Sequence, residues 1–174
     1  MLIPVLGARS VLVLVDLQQW IVEMALAPIG GPEVVEQCVR LRAAFDDAVA
    51  PVVLVRYLRE DGRDGGPTAA PNQFVAPLQP GQGEHVVTKN GLDAFQGTRL
   101  VAHLRDLGAS SLVIAGISTA HGVGATATTA VALGYEVTVV SDATSSSSTE
   151  EHLAALDTLS AAGVKIATVD QLLS

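Results

Sequence analysis

The sequence predicts an α/β protein with a doubly wound, six-stranded, mostly parallel sheet and helices on both faces, in a Rossmann-like arrangement. Residues 1–174 are expected to form one domain. Three observations predict this. Short β-branched runs alternate with longer stretches of helical periodicity, the pattern of strand–helix–strand units. The strand runs are apolar without alternation, as strands covered on both faces should be. With 49% apolar and only 16% charged residues in 174, the chain can bury a substantial core.

The first strand is residues 11–15 (VLVLV), followed by runs at 52–55, 86–87, 112–117, 137–140 and 164–169. The first helix is expected at residues 32–50. Pro32 suits its first turn, and Val34, Cys38, Leu41 and Phe45 recur at helical spacing. A second helix, 98–107, stops at Gly108, and a third, 122–133, stops at Gly134. The fourth, 149–163, opens on Thr149 as a cap, with Glu150, Glu151 and His152 in the first turn. Residues 17–31 and 58–83 carry no clear helix. The second of these is rich in Gly, Pro and Asp, and a long irregular connection of this kind often serves as a lid or binding loop. The serine run 145–148 reads as a loop before the last helix.

The net charge of −8 argues against a nucleic-acid partner, because phosphates would be repelled. One cysteine, Cys38, excludes a disulfide within the chain and a Cys-rich zinc site. Residues 1–20 lack a basic segment leading to a small-residue cleavage site, and no apolar run reaches membrane-spanning length. A cytoplasmic protein without a membrane partner is expected.

Ligands of open α/β sheets bind beyond the carboxyl ends of the strands. Asp16 follows the first strand, Tyr57 and Arg59 the second, Lys89 the third, Ser118, Thr119 and His121 the fourth, and Asp142 the fifth. Asp16 and Lys89 are charges set directly after apolar runs, where burial is costly unless they meet. Such a pair serves either as a structural ion pair or as acid–base machinery whose carboxyl pKa depends on desolvation. The turn from Gly116 to Gly124 is rich in small residues and offers backbone N–H groups at a helix start, for an anion or for close packing. It contains neither a dinucleotide fingerprint nor a phosphate loop.

Four ordered blocks resemble the isochorismatase-like hydrolases, the superfamily that includes nicotinamidases and N-carbamoylsarcosine amidases. They are VLVLVDLQQ with Asp16 and Gln18; VVTKNGLDAFQGTRL with Lys89; LVIAGISTAHGVGATATTAVALGYEVTVVSDA; and EEHLAALDTLSAAGVKIATVDQL. Most members carry an Asp–Lys–Cys triad. Counted from Gly116, the cysteine position is occupied here by Gly122, so a covalent thioester route is closed. Cys38 lies on the apolar face of the first helix and is expected to pack there. The turn should aim the Ser118 and Thr119 hydroxyls away from the missing thiol.

The isochorismatases proper hydrolyse a vinyl ether without a covalent intermediate, with the aspartate as general acid. Transferred here, Asp16 supplies the proton and Lys89 holds a substrate carboxylate or steadies Asp16. The Ser118 and Gly122 N–H groups take the family's oxyanion-hole positions, and the Ile117–Ser118 peptide takes the place of its cis bond. His121 stands where true isochorismatases carry a bulky hydrophobe, as a second acid or base or as a solvent-facing residue. Gln18, Trp20, Tyr57, Phe95, Thr119 and His121 are the candidate substrate-binding residues. Core packing is an equal reading for Tyr57 and Phe95.

The segment 58–83 has no histidine, and His103 and His152 are expected at helix surfaces, so neither metal nor cofactor is implied. Arg56, Arg59 and Arg63 read as a solvated loop or as carboxylate-binding groups. The resemblance implies a thiol-independent hydrolase of a small carboxylated metabolite, a vinyl ether or related compound, working as a homodimer or larger homo-oligomer. The alternatives are a non-catalytic small-molecule-binding relative and a repurposed enzyme of secondary metabolism that opens rings or eliminates.

Overall fold

The computed structural model describes residues 9–174. The part of the leader reading that concerns residues 1–8 lies outside the described residues. The strands are β1 (Ser10–Val15), β2 (Val52–Tyr57), β3 (His85–Lys89), β4 (Ser111–Ile117), β5 (Glu136–Ser145) and β6 (Lys165–Ala167). The helices are α1 (Gln19–Val22), α2 (Gly31–Asp47), α3 (Leu100–Asp106), α4 (Gly124–Ala132), α5 (Thr149–Ala161) and α6 (Val169–Leu173). One sheet holds all six strands in the order β3-β2-β1-β4-β5-β6, and every pairing is parallel. The sheet is therefore wholly parallel.

The alternate residues of β1 explain its unbroken apolar run. Leu12 and Leu14 face one side with Val34, Cys38, Leu41 and Phe45 of α2. Val11, Val13 and Val15 face the other, with Leu100, Leu104, Ala127, Ala130, Leu156 and Leu159 from α3, α4 and α5. Both layers exclude water from β1, so its residues 11–15 are apolar on both faces, and the one polar residue, Ser10 at its start, is paired with Ser111. Cys38 is fully buried, and its Sγ lies 3.8 Å from the Ala143 carbonyl.

Several boundaries differ from expectation. β5 continues past residue 140 to Ser145 through a register shift against β4. Asp142 is consequently inside the strand. Its carboxylate accepts from the Val169 N–H at 2.8 Å and from Gln37 at 3.3 Å, holding the start of α6 and not facing the cleft. The run 164–169 is divided: Thr168 ends the strand region and caps α6 in a reciprocal box with Gln171. Ser148, not Thr149, caps α5 by accepting from the Glu151 N–H at 3.1 Å. The serine run closes on its surroundings. Ser145 donates to the Ile29 carbonyl, Ser146 accepts from the Ala120 N–H, and Ser147 donates to Glu151. Among the described residues, no helix is long and apolar enough to cross a membrane.

The winding direction reverses between β1 and β4, the crevice where doubly wound sheets place ligands. At that crevice Gly116 has φ +117° and pairs with Val15; an added Cβ would stand 2.2 Å from the Val15 carbonyl oxygen. Gly116→Ala is therefore expected to cost about 3 kcal/mol or more, through left-handed strain and clash together. Urea unfolding checks this, and an unchanged midpoint would contradict the packing described.

Candidate active site

Asp16 follows β1 in the left-handed conformation, φ 56°, an uncommon state for a non-glycine residue and one that clusters at functional sites. Its N–H is held by the Val55 carbonyl at 2.8 Å. Lys89 ends β3 opposite Tyr57 of β2 and reaches across the end of that strand. Its Nζ lies 2.8 Å from Asp16 Oδ2, donates to the Gly91 carbonyl at 3.0 Å and sits 5.3 Å from the centre of the Tyr57 ring. Both charged side chains are buried.

Asp16 Oδ1 is buried with no hydrogen-bond partner. A carboxylate oxygen left so is costly when ionised, but it suits a protonated acid or an oxygen awaiting a ligand's donor. Desolvation pushes the Asp16 carboxyl up to about 6, while the Lys89 charge and its hydrogen bond pull the other way. Burial outweighs the lysine.

The chain after β4 passes through a cis Ile117–Ser118 peptide, at the position the resemblance implied, and then a single π turn, Thr119–Val123, before α4. Gly122 lies in that turn. A Cβ built on it would stand 3.4 Å from Asp16 Oδ2, 3.2 Å from Val15 Cγ1 and 3.5 Å from the Leu92 carbonyl. A side chain at position 122 would thus meet the acid directly. Leu92 arrives on the loop after Lys89, which is tied to α4 by Ala94 N–H to Thr126 Oγ1 at 3.0 Å and Thr129 Oγ1 to Asp93 at 2.7 Å.

Two open grooves lie among the strand-end loops, and neither is lined by Asp16 or Lys89 themselves. One, of about 430 Å3, runs along the π turn, α4 and α5 and includes Leu92, Thr119, Ala120, His121 and Glu151. The other, of about 440 Å3, is lined by Tyr57, Arg59, Glu60 and Asp61.

The remaining candidates separate. Gln18 is fully buried, and its amide is spent on backbone: it accepts from Tyr57 N–H at 2.7 Å and donates to the carbonyls of Tyr57 and Asn72. It fixes the strand ends. The Thr119 hydroxyl is likewise occupied, by Thr144 at 3.0 Å and His152 Nδ1 at 2.7 Å. Phe95 packs in the core with its ring stacked on Tyr135, 6.4 Å between centres. Trp20 is 40% exposed on α1 and lines neither groove. His152, expected at the surface, is buried, and desolvation lowers its pKa. Arg59 forms two hydrogen bonds with Asp61, holding that carboxyl down at about 2, with Arg63 alongside in solvent. Arg56 is engaged by Thr88. Ser118 Oγ and His121 Nδ1 are 2.8 Å apart. Among the described residues, no cluster of three or more His, Cys, Asp or Glu side chains is arranged to hold a metal ion.

The family model described as "Isochorismatase domain" matches residues 10–171. An uncharacterized isochorismatase family protein of Escherichia coli, YecD, is 31% identical over 95% of this chain and 95% of its own. A sequence named as a probable inactive nicotinamidase of Arabidopsis thaliana is 28% identical over 94% of each chain. The structure of an isochorismatase family protein from Burkholderia thailandensis superposes with a TM-score of 0.88 at 33% identity, covering 98% of this chain and 96% of that one. By domain, sequence and fold together, this chain belongs to the isochorismatase family.

Proposed function

We propose that the chain is a thiol-independent hydrolase of a small carboxylated metabolite, with a vinyl ether as the substrate class and Asp16 as general acid. The observation that carries this reading is the buried, unpartnered Asp16 Oδ1 on a carboxyl whose pKa stands at about 6. Asp16 donates its proton to the terminal vinyl carbon, and water adds to the oxocarbenium carbon that results. The proton released by that water returns to Asp16, and the adduct collapses to a ketone and an alcohol. For an enolpyruvyl ether the ketone is pyruvate. Lys89, 2.8 Å away, balances the carboxylate between the two transfers. With Gly122 in the turn, no side chain is present there to attack the substrate.

Pyruvate release from enolpyruvyl ethers, followed between pH 5 and 8, tests the reading. Protonated Asp16 is the working form and predominates below about 6, so kcat/KM falls as pH rises through that value. Beyond it the loss approaches roughly tenfold per pH unit. A rate that climbs over the same range would mean that the carboxylate accepts a proton and does not donate one.

The absence of a nucleophile at Gly122, together with the relative named as probably inactive, supports a second reading as a non-catalytic binder. Saturable binding of small carboxylates with no turnover of vinyl ethers or amides would select it.

A further inference from the structure

We propose that Ser118, His121 and Glu151 form a second hydrolytic centre, in which the Ser118 hydroxyl is acylated by small carboxylic esters seated in the groove beside His121. The centre is separate from the Asp16–Lys89 pair. It uses a hydroxyl with its own base, and it faces the α4–α5 side of the turn.

The geometry comes from the π turn. The chain between Ser118 and His121 folds back so that Ser118 Oγ lies 2.8 Å from His121 Nδ1. A hydroxyl that donates to Nδ1 requires the neutral ring to carry its hydrogen on Nε2. Nε2 faces Glu151 Oε1 at 3.9 Å, an electrostatic contact that strengthens once the ring is charged. Glu151 is fixed independently: its other oxygen accepts from Ser147 N–H at 3.0 Å and Ser147 Oγ at 2.5 Å. Those two bonds, with His121 nearby, hold the Glu151 carboxyl below its ordinary range, so it is an anion at neutral pH. A hydroxyl, an imidazole with a correctly placed free tautomer, and an oriented carboxylate are the three roles that an activated serine needs.

Acyl-group space adjoins them. The 430 Å3 groove that His121 and Glu151 line begins beside Ser118 at Thr119 and is walled by small and aliphatic side chains, among them Leu92, Ala154 and Leu159, together with Thr128 and Thr158. Small aliphatic and threonine walls without a further charge select a short, neutral acyl or alkoxy group.

In the reaction, Ser118 Oγ bonds to the ester carbonyl carbon while its proton passes to His121 Nδ1. The tetrahedral adduct expels the alkoxide, which takes that proton and leaves as the alcohol. Water, deprotonated by His121, then releases the carboxylic acid and restores the Ser118 hydroxyl. No other reactant is consumed.

The test is covalent. The full chain is incubated with diethyl p-nitrophenyl phosphate, and the adduct is located by peptide mass spectrometry. In parallel, p-nitrophenyl acetate is assayed for a burst of nitrophenolate. The expected result is one diethylphosphoryl group per chain, on Ser118, and a burst of one equivalent. Ser118→Ala should abolish both. His121→Gln changes a half-exposed side chain, so its circular dichroism should match the wild type, while labelling should slow roughly 100-fold. Glu151→Gln should slow labelling by a smaller factor. A folded wild-type chain that takes no label, a label on another residue, or His121→Gln labelling at the wild-type rate would each overturn the proposal.

Discussion

Asp16→Asn is expected to remove vinyl-ether turnover, by roughly 10²- to 10⁴-fold, because an amide of the same shape has no proton to give. The variant should also show a pH-dependent change in stability. At pH 7.5 the wild-type carboxyl is mostly ionised and paired with buried Lys89, 2.8 Å away. Asparagine leaves that ammonium in the core with only the Gly91 carbonyl as a partner. Against that loss, the raised carboxyl pKa shows that burial costs the ionised form more than Lys89 returns, a cost the neutral amide does not carry at this pH. At pH 5 the wild-type carboxyl is mostly protonated, because its folded-state pKa is about 6. The folded chain keeps that proton while the unfolded chain, at an ordinary carboxyl pKa, has lost it. Wild-type stability therefore falls as pH rises through about 6, and the non-titrating asparagine variant should gain on wild type between pH 5 and 7.5. Urea midpoints at the two pH values measure the gap, and pyruvate release measures the chemistry. Turnover within tenfold of wild type would remove Asp16 from the mechanism. A stability gap independent of pH would mean that burial does not govern its protonation.

Asp16 was legible because it follows an apolar run that becomes a strand covered on both faces, and Lys89 because it ends a short run that becomes the edge strand β3, although that strand is only partly covered. Gly122 was placed by counting through a resemblance, and the ideal Cβ 3.4 Å from Asp16 Oδ2 puts that position beside the acid. Gln18 was singled out, but as a ligand contact. Its partners lie 39 and 54 residues away, a distance that periodicity does not carry. His152 was within reach. It falls on the stripe of α5 that continues to Leu156 and Leu159, at helical spacing, and that stripe is buried. Reading its side chain by polarity alone sent it to the surface. The capping box of Thr168 and Gln171 was also written in the sequence, but the apolar run 164–169 masked it. Asp142 failed for a different reason. A register shift between β4 and β5 lengthens the strand past the point where its apolar run stops, and no local signal marks such an irregularity. Glu151 was read only as a helix-start charge, because its approach to His121 depends on how α5 docks against the π turn.

Gly122→Cys is expected to produce a fast-reacting thiol in a chain whose natural cysteine is inert. Cys38 is fully buried, and desolvation drives its thiol far above the ordinary range, so the folded wild type should take up iodoacetamide only on unfolding. At position 122 the backbone suits a side chain, and the tightest neighbour is the Val15 Cγ1 methyl at 3.2 Å, which must yield a few tenths of an ångström. The next contact is Asp16 Oδ2, a proton acceptor once ionised, on the same oxygen that Lys89 Nζ approaches at 2.8 Å. A thiol beside a carboxylate base that is itself paired with a cation has both a route for its proton and partial charge compensation for its thiolate. Labelling should therefore reach one equivalent per folded chain, roughly 100-fold faster than the wild type. It should slow as pH falls below about 6, where Asp16 takes up its own proton. Small primary amides are the substrates to try, since a thiolate beside a protonatable carboxyl can form and resolve a thioester. A folded variant whose new cysteine stays unlabelled would show that position 122 does not open on the Asp16 cleft. Rapid labelling without amide turnover would locate the deficit in substrate recognition. The loop from Tyr57 to Asp61 would then be implicated, because its arginine is already committed to Asp61.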